Sequence, residues 1–294
     1  MFTAPVPVAV PKAAAWRAGA ASGARHPQSL GSYRIQRMLG QGRMGRVYLA
    51  VDGQGCRVAL KVHERRGPHD AGAPHWFDAE RQFLAGLRDR RIVQMRSHGA
   101  FGPMDYLSLE YIEGGSLRDS VGRAAASAHA LRVLREAASA VAASHAAGVV
   151  HRDVKPENFL VRHDGTLALA DFGVAARAGD RTASAPAGTL VGSIGYAAPE
   201  QLQGETPAPA ADVYSLGIVL FELLCGRRPF EGATPLELIS QHLVAPVPRL
   251  PACLAAWQPI VDRLLHKRPQ HRPSDAAALL HEIQAVAPQG AGID

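Results

Sequence analysis

Two short runs of polar residues near the middle of the chain hold the residue types that phosphoryl transfer requires. Residues 151–158 read His-Arg-Asp-Val-Lys-Pro-Glu-Asn, and residues 171–173 read Asp-Phe-Gly. Transfer of a phosphoryl group needs an acceptor for the proton of the attacking hydroxyl, cations against the phosphate oxygens, and rigid placement of all the parts. Four side chains of the two runs can supply these roles around one metal-bound phosphate: Asp153, Lys155, Asn158 and Asp171.

A glycine-rich turn and a lysine-bearing strand precede these runs. Residues 39–47 read Leu-Gly-Gln-Gly-Arg-Met-Gly-Arg-Val, the pattern G-x-G-x-x-G-x-V, and residues 58–61 read Val-Ala-Leu-Lys. Glycines let backbone N–H groups approach a phosphate that a β-carbon would obstruct. The glycine pattern alone also marks dinucleotide-binding folds and ordinary turns, but here a strand rather than a helix follows it. Because Lys61 follows the glycine pattern on the strand expected at 56–62, the two motifs together are a much more specific signal of phosphate binding than either one alone.

With these four motifs the chain resembles a protein kinase. Further family landmarks follow in the expected order: Ala198-Pro199-Glu200, Asp212 opening an apolar helix, Gly226-Arg227-Arg228-Pro229-Phe230, and Arg272-Pro273. The resemblance covers about residues 33–286. Lys155, two positions after Asp153, marks the serine/threonine type, and the chain looks like the eukaryotic-like (Hanks-type) kinases of bacteria.

The resemblance implies an α+β fold of two lobes. A small N-lobe, residues 33–110, would hold an antiparallel sheet and one helix, the αC helix of the family. A hinge at 110–114 would lead into a larger, mainly helical C-lobe at 115–286. Residues 1–32 are rich in Ala, Pro, Gly and Ser without periodicity, so we expect a disordered tail there. Residues 287–294 would form a C-terminal tail.

The apolar periodicity predicts the individual elements. Strands are expected at 33–39, 46–51, 56–62 and 105–111, with glycine-containing turns at 40–45 and 53–55. Residues 113–117 read as a turn into a helix, and an apolar stripe from Leu131 to His145 predicts a helix before the 151–158 run. Residues 213–225 are too short to cross a membrane, which takes about 20 apolar residues, and predict a buried helix.

Glu80 lies on the apolar face of the helix expected before residue 92. Trp76, Phe83, Leu84 and Leu87 share that face at spacings of three and four. A carboxylate in such surroundings needs a cationic partner. Lys61 is the candidate through the kinase pairing of strand lysine and helix glutamate. An ordinary glutamate that reaches solvent is the alternative.

The resemblance also assigns the chemical roles. Asp153 would take the proton of the substrate hydroxyl, and Lys155 would neutralise the γ-phosphate. Lys61, oriented by Glu80, would hold the α- and β-phosphates. A lone Asp-Phe-Gly is usually an ordinary loop, but the other motifs at the family's spacing leave that reading little room.

ATP is the implied nucleotide, and Mg²⁺, with Mn²⁺ as an alternative, is the implied metal. Asn158 and Asp171 would coordinate the metal through oxygen, which hard cations prefer. Leu109 would be the gatekeeper, while the backbone C=O of Glu110 and the N–H of Ile112 would bond the adenine. The full set expected around ATP is Leu39, Gly40, Gln41, Gly42, Gly45, Val47, Ala59, Lys61, Leu109, Glu110 and Ile112.

The segment between the Asp-Phe-Gly and Ala-Pro-Glu motifs would be the activation segment. Arg152 belongs to the class in which a phosphate commonly orders this segment. Thr189 is the leading expected phosphosite, followed by Thr182 and Ser184, and unmodified solvated hydroxyls are the alternative. Ser193 stands where the family usually has Thr.

Several side chains are expected to hold the catalytic groups rather than react. The Ser193 hydroxyl should bridge toward Asp153 and Lys155. His151 should pack beneath Phe172 instead of acting as a base. Two more scaffold roles follow from the resemblance: a buried Glu200–Arg272 ion pair, and bracing of the catalytic-loop backbone by Asp212.

Composition narrows the remaining function classes. The formal charge is +6, but three basic residues lie in the acid-free first 32 residues, which leaves +3 for the rest. Without a recognition helix or an aromatic-basic strand pattern, no nucleic-acid binding is expected. Three cysteines without metal-type spacing predict neither disulfides nor zinc and fit a reducing cytoplasm. His63, His69 and His75 are evenly spaced but lack the ligands of a metal site.

No membrane anchor or signal peptide is expected, since the first residues lack a basic start and carry early prolines. The expected function is transfer of the ATP γ-phosphate to protein Ser/Thr hydroxyls, including the chain's own activation segment after self-association. Two alternatives stay open. One is a pseudokinase scaffold without turnover, and the other is a phosphotransferase that acts on a small molecule.

Overall fold

The computed structural model describes residues 28–42, 45–65, 73–121, 127–180 and 193–286. These form a small, sheet-rich lobe and a larger helical lobe. The strands are β1 Ser29–Leu30, β2 Tyr33–Gly42, β3 Gly45–Val51, β4 Arg57–Glu64, β5 Met95–Phe101, β6 Met104–Glu110, β7 Val149–Val150, β8 Phe159–Val161, β9 Leu167–Leu169 and β10 Ala176–Arg177. The helices are α1 Ala73–Gly86, α2 Ser127–Ala146, α3 Pro199–Leu202, α4 Pro209–Cys225, α5 Pro235–Val244, α6 Gln258–Leu264 and α7 Ala276–Val286. The predicted two-lobed α+β fold is confirmed.

The small lobe is one antiparallel sheet in the order β1-β2-β3-β4-β6-β5. Alternation along its strands sends apolar side chains to both faces. One face carries a small core of its own, formed by Tyr33, Tyr48, Ala50, Val58, Leu60 and Val62. The other face presents Ala59 and Lys61, which pair in register with Leu109 and Leu107. Leu107 and Leu109 join the main core, so this face is turned toward the large lobe.

Two predicted boundaries were wrong at the start of the sheet. Ser29 and Leu30, assigned to a disordered tail, form β1 and pair with the first residues of β2. Leu30 packs against the small core, which gives this segment apolar surface to bury. The glycine turn also differs from the expectation, because the β2–β3 ladder continues through it as far as the Gly42–Gly45 pair.

Gly45 needs to be glycine for two reasons. Its φ is +119°, a region that side chains rarely adopt, and a β-carbon there would lie 2.2 Å from the Val62 carbonyl oxygen. The start of β3 therefore packs closely against the backbone of β4 at Val62. The segment expected to turn into a helix at 113–117 leads into a short 3-10 turn, Leu117–Ser120, which begins with a contact from the Ser116 N–H to Asp119 at 3.3 Å and ends at the extended Val121.

The large lobe is built around α4. Every residue of α4 from Ala210 to Leu224 is buried, as the sequence predicted for this apolar stretch. The helix packs against α2, α6 and α7. The two lobes are also joined by backbone, since the Val93 N–H bonds the Leu169 carbonyl at 2.9 Å. Within the described ranges, none of the helices combines the length and the apolar composition that a membrane crossing needs.

A buried ion pair ties α3 to the C-terminal helices. Arg272 binds Glu200 through two parallel contacts of 2.6 and 2.9 Å, and its side chain is fully buried. The same guanidinium donates to the carbonyl oxygens of Ala210, His266 and Lys267. All its donor directions are therefore used, which is the condition under which a buried charge is tolerated.

We predict that Arg272→Ala lowers the free energy of unfolding by about 3–5 kcal/mol, because Glu200 would then be buried without a partner. Arg263→Ala is the matched control. Its partner is Glu282, and both side chains are at least one-third exposed, so the loss should stay below about 1 kcal/mol. Urea unfolding of both variants measures the difference. Equal losses would contradict the assignment of Arg272 as the structural anchor.

Candidate active site

The 151–158 run forms the loop between β7 and β8, and the buried carboxylate of Asp212 on α4 holds it in place. Asp212 accepts from the backbone N–H groups of His151 at 2.7 Å and Arg152 at 2.8 Å, and its Oδ2 lies 2.9 Å from His145 Nε2. Arg152 has a φ of +67°, an unfavourable conformation for a residue with a side chain. Such a conformation persists only where the surroundings impose it. Asp212 supplies that constraint.

Asp212 is held in its charged form. Burial acts to raise the pKa of this carboxyl, but the hydrogen bond with His145 and the donors of the loop lower that pKa overall. His151 also has a structural role in holding the loop. Its ring packs edge-on against Phe172 at a centroid distance of 4.8 Å, and its Nε2 lies 3.0 Å from the Ala170 carbonyl oxygen.

Two side chains of the loop, together with the backbone of Ser193, contact Asp153. Lys155 Nζ lies 2.5 Å from Asp153 Oδ2, and Asn158 Nδ2 donates to the Asp153 carbonyl at 2.8 Å and to Oδ2 at 3.2 Å. Ser193 contributes differently from the prediction. Its backbone N–H, at 2.8 Å, contacts Asp153 Oδ1, while its hydroxyl accepts from Lys155 at 2.8 Å. The Asp153 carboxylate is therefore oriented from both oxygens.

A second cluster joins the sheet to the Asp-Phe-Gly run. Lys61 Nζ on β4 lies 2.5 Å from Glu80 Oε2 on α1 and 2.7 Å from Asp171 Oδ1. Glu80 is only 1% exposed, so it faces the interior as its helical spacing predicted. Asp171, at a φ of +66°, is the other residue outside glycine with a positive φ in the described ranges. Strained backbone of this kind is concentrated at functional sites.

One ammonium in this cluster faces two carboxylates. Burial acts to lower the pKa of Lys61, but the charges of Asp171 and Glu80 raise it overall. Burial raises the pKa of Glu80 overall; the charge of Lys61 acts to lower it, and the charge of Asp171 acts to raise it further. Burial also acts to raise the pKa of Asp171, yet Lys61 lowers it overall. The cluster thus carries surplus negative charge, which favours a further cation.

The oxygens left over in the loop fit a hard divalent cation. Asn158 is fully buried, its amide nitrogen is committed to Asp153, and its Oδ1 has no hydrogen-bond partner within the described residues. The Ala170 N–H bonds the Asn158 carbonyl at 2.8 Å, which brings the neighbouring Asp171 beside it. An amide oxygen and a carboxylate are the ligands that Mg²⁺ takes while keeping several waters.

The residues expected around ATP lie on the sheet face turned toward the large lobe and at the end of β6. Val47 pairs in register with Lys61, and Ala59 pairs with Leu109, so all four share one face. Gly40 pairs with Val47 in the glycine hairpin, where Leu39, Gln41, Gly42 and Gly45 also lie. Ile112 follows β6, beyond the last strand residue, Glu110.

Sequence reasoning missed what fixes the Glu110 side chain. Arg162 donates to both of its oxygens, at 2.7 and 3.0 Å, and the Gln94 N–H donates at 2.9 Å. These contacts clamp the strand end to the segment after β8, so the backbone proposed to meet adenine is held by both lobes. No motif marks Arg162, because its partner lies 52 residues away in the chain.

A second group missed by the sequence surrounds Arg118. This guanidinium contacts Glu157 and Glu222, each at 2.7 Å, and the hydroxyl of Tyr196. The Tyr196 hydroxyl in turn donates to Glu222 at 2.6 Å. Glu157 is therefore already paired. The 151–158 run could not indicate this pairing, since Arg118 lies 39 residues before Glu157 in the chain.

Three expected phosphosites, Thr182, Ser184 and Thr189, lie outside the described residues, as does His69. Their assignments stay predictions. In the part of the chain that the structure describes, no group of three or more His, Cys, Asp or Glu side chains could hold a metal ion.

A small antiparallel sheet with a lysine–glutamate pair, set over a helical lobe that carries a polar catalytic loop, defines the protein-kinase class of fold. The chain belongs to this family, and the protein kinase domain model matches residues 33–283. It is similar to serine/threonine-protein kinase PknL of Mycobacterium tuberculosis, 37% identical over 87% of this chain and 65% of the relative.

Other curated relatives are similar over the same share of the chain. Serine/threonine-protein kinase PknA of Mycobacterium tuberculosis is 36% identical, over 61% of its own length. A probable serine/threonine-protein kinase, pknA2, of Bifidobacterium longum is 34% identical, over 35% of its length. The chain therefore spans between about a third and two thirds of the length of these relatives.

We predict that Asp212→Asn lowers the free energy of unfolding by about 2 kcal/mol at pH 7, because one oxygen that accepts loop N–H bonds is replaced by a donor. The deficit should shrink as the pH falls below about 4. The wild-type carboxyl has a lowered pKa, so its contribution is present above the unfolded value and is lost on protonation.

Denaturant titrations between pH 7 and about pH 3 measure this dependence. Asp78→Asn is the control, since Asp78 is 58% exposed and its contact with Arg81 is 3.4 Å long. That change should stay within about 0.5 kcal/mol at every pH. A deficit for Asp212→Asn that is the same at both ends of the range would show that its charge does not support the loop.

Proposed function

We propose that this protein is a serine/threonine protein kinase that transfers the γ-phosphate of ATP to hydroxyls of proteins, including its own activation segment. One observation carries the proposal. Asp153 is oriented from both oxygens, and it contacts Asn158, whose amide oxygen has no hydrogen-bond partner within the described residues. The Asn158 carbonyl in turn binds the N–H of Ala170, next to the Lys61–Asp171 pair. Relatives named as serine/threonine kinases support it.

Asp153 would act as the proton acceptor. With the Ser193 N–H on Oδ1 and Lys155 on Oδ2, the carboxylate has little freedom to rotate. A substrate hydroxyl placed against it can pass its proton to Asp153 as the bond from oxygen to phosphorus forms, while the leaving oxygen stays on the nucleoside diphosphate. The protein's main contribution is fixed geometry rather than a strong base.

Two lysines would meet the phosphate charge from opposite lobes. Lys155 lies on the acceptor side, next to Asp153, and Lys61 lies on the sheet side. Because Glu80 holds the Lys61 ammonium from α1, the position of this helix controls whether Lys61 can reach a phosphate. Ammonium groups act here as compact point charges on oxygen.

Asn158 and Asp171 would hold Mg²⁺. The metal, when bound, draws negative charge from the phosphate oxygens. The chain's own part is to keep the Asn158 oxygen and the Asp171 carboxylate adjacent, through the Ala170–Asn158 backbone bond and the strained Asp171. Lys61 now pairs with Asp171, so the lysine would be shared between this carboxylate and the nucleotide.

A protein is the favoured acceptor because the activation segment ends in a rigid platform. Ser193 touches both Asp153 and Lys155, and α3 is anchored by the buried Glu200–Arg272 pair. An extended peptide can lie along this platform with its hydroxyl at Asp153. We expect Thr189 to be the main site of autophosphorylation, with Thr182 and Ser184 next.

We predict that Asp153→Asn reduces phosphate transfer from labelled ATP to a protein acceptor by roughly 10²–10⁴-fold, as loss of a general base does. ATP affinity should change little, because Asp153 faces the acceptor side. Asp164→Asn, in the exposed turn before β9, is the matched control and should keep full activity. Wild-type protein that binds ATP and labels nothing would instead support a pseudokinase scaffold.

We predict that Asn158→Ala raises the Mg²⁺ concentration at half-maximal transfer by about tenfold, because a metal ligand is lost. Asn158→Asp keeps an oxygen at this place and should recover part of that shift. Activity titrations with Mg²⁺ and with Mn²⁺ measure both variants. An unchanged metal dependence in Asn158→Ala would remove this residue from the metal site.

A further inference from the structure

The guanidinium of Arg228 lies directly on the backbone of Gly195. Gly195 belongs to the 3-10 turn Ile194–Tyr196 that closes the activation segment. A β-carbon built on Gly195 would lie 1.9 Å from Arg228 Nη1 and 3.1 Å from its Cζ. The absence of a side chain at this position therefore makes room for the arginine.

This contact is close to the acceptor side of the candidate active site. Gly195 follows Ser193 by two residues, and the Ser193 N–H bonds Asp153 Oδ1. An extended peptide advances about 3.3 Å per residue. When the acceptor hydroxyl reaches Asp153, a neighbouring residue of the substrate can come within reach of Arg228.

The charge of Arg228 is not balanced by a neighbouring acid. No carboxylate in the described part of the chain forms an ion pair with this half-buried arginine. A second cation, Lys267, lies near by: burial lowers the pKa of His242 to about 3, and the charges of Lys267 and Arg228 both act in the same direction.

The acids near the same platform are already engaged. Arg118 occupies Glu157 and Glu222, each at 2.7 Å, and contacts the Tyr196 hydroxyl as well. Burial acts to lower the pKa of Arg118, but these hydrogen bonds raise it overall, so this cation stays charged. A basic substrate residue would compete with Arg118 for Glu157 and Glu222, whereas no carboxylate of the described ranges is paired with Arg228.

We propose that Arg228 is a specificity-determining residue that binds an anionic side chain of the protein substrate, within about three residues of the acceptor hydroxyl. The inference rests on the proposed kinase function and names its substrate class. The shared chemistry is a carboxylate or a phosphate group, both of which a guanidinium binds through two parallel N–H bonds.

The experiment uses the full chain and peptides with one serine acceptor. Asp, phosphoserine, Asn or Lys is placed in turn at each of about three positions on both sides of it. For each protein variant, kcat/KM for the Asp or phosphoserine peptide is divided by that for the Asn peptide at the same position. Because both rates come from one preparation, partial loss of folded protein cancels in the ratio.

We expect a preference of about tenfold for the anionic peptide at one position in the wild type, the size of a charge-assisted hydrogen bond. Arg228→Gln should lower that ratio to about one, and Arg228→Glu should favour Lys there. Gly195→Ala should also reduce it, since the new methyl group displaces the guanidinium. The control Arg227→Gln removes an exposed neighbour stacked on Phe221 and should keep the preference.

The outcomes separate this inference from the proposed function. Transfer to the neutral peptides with no anionic preference, or a preference that survives in Arg228→Gln, overturns the role of Arg228 and leaves the kinase assignment intact. Absence of transfer to every peptide in the wild type overturns the assignment itself and the inference with it. If the Asp peptide gives the larger kcat/KM ratio over the Asn peptide, the anion is a carboxylate. If the phosphoserine peptide gives the larger ratio, it is a phosphate group.

Discussion

The shared ammonium of Lys61 is the interaction on which the active arrangement depends. It joins a strand of the small sheet to Glu80 on α1 and to Asp171 at the start of the Asp-Phe-Gly run, 110 residues along the chain. One cation between two carboxylates leaves surplus negative charge, which favours a further cation. The lobes are thus joined by a cluster whose charge a bound metal ion would balance.

A second constraint keeps the catalytic loop ready for that cluster. The loop contains Arg152 in a strained conformation, and the buried carboxylate of Asp212 imposes it with two backbone hydrogen bonds. Asp212 is rigid because α4 is buried along nearly its whole length. An apolar, almost entirely buried helix therefore positions the polar catalytic loop, and the packing free energy of the large lobe offsets the strain.

The residues on the acceptor side are likewise held in place by contacts from several elements. Ser193 touches Asp153 and Lys155, while the remainder of its turn is held by Tyr196, Arg118 and the buried ion pair of α3. Charge is distributed unevenly along this platform. Glu157 and Glu222 on it both contact Arg118, while Arg228 forms no ion pair in the described ranges, which is the basis of the inferred anionic neighbour of the acceptor at Arg228.

The sequence by itself determined the class of fold, the helix and strand types, and the identity of the groups that could react, because motif spacing and apolar periodicity are local properties. Glu80 could be placed on an inner face from its helical neighbours alone. Tertiary structure decided what no local pattern contains. It paired Leu30 with the sheet, clamped Glu110 with Arg162, committed Glu157 to Arg118, and set Arg228 on Gly195. Each of these contacts depends on the path that the folded backbone takes, so its free energy exists only once the elements concerned have packed.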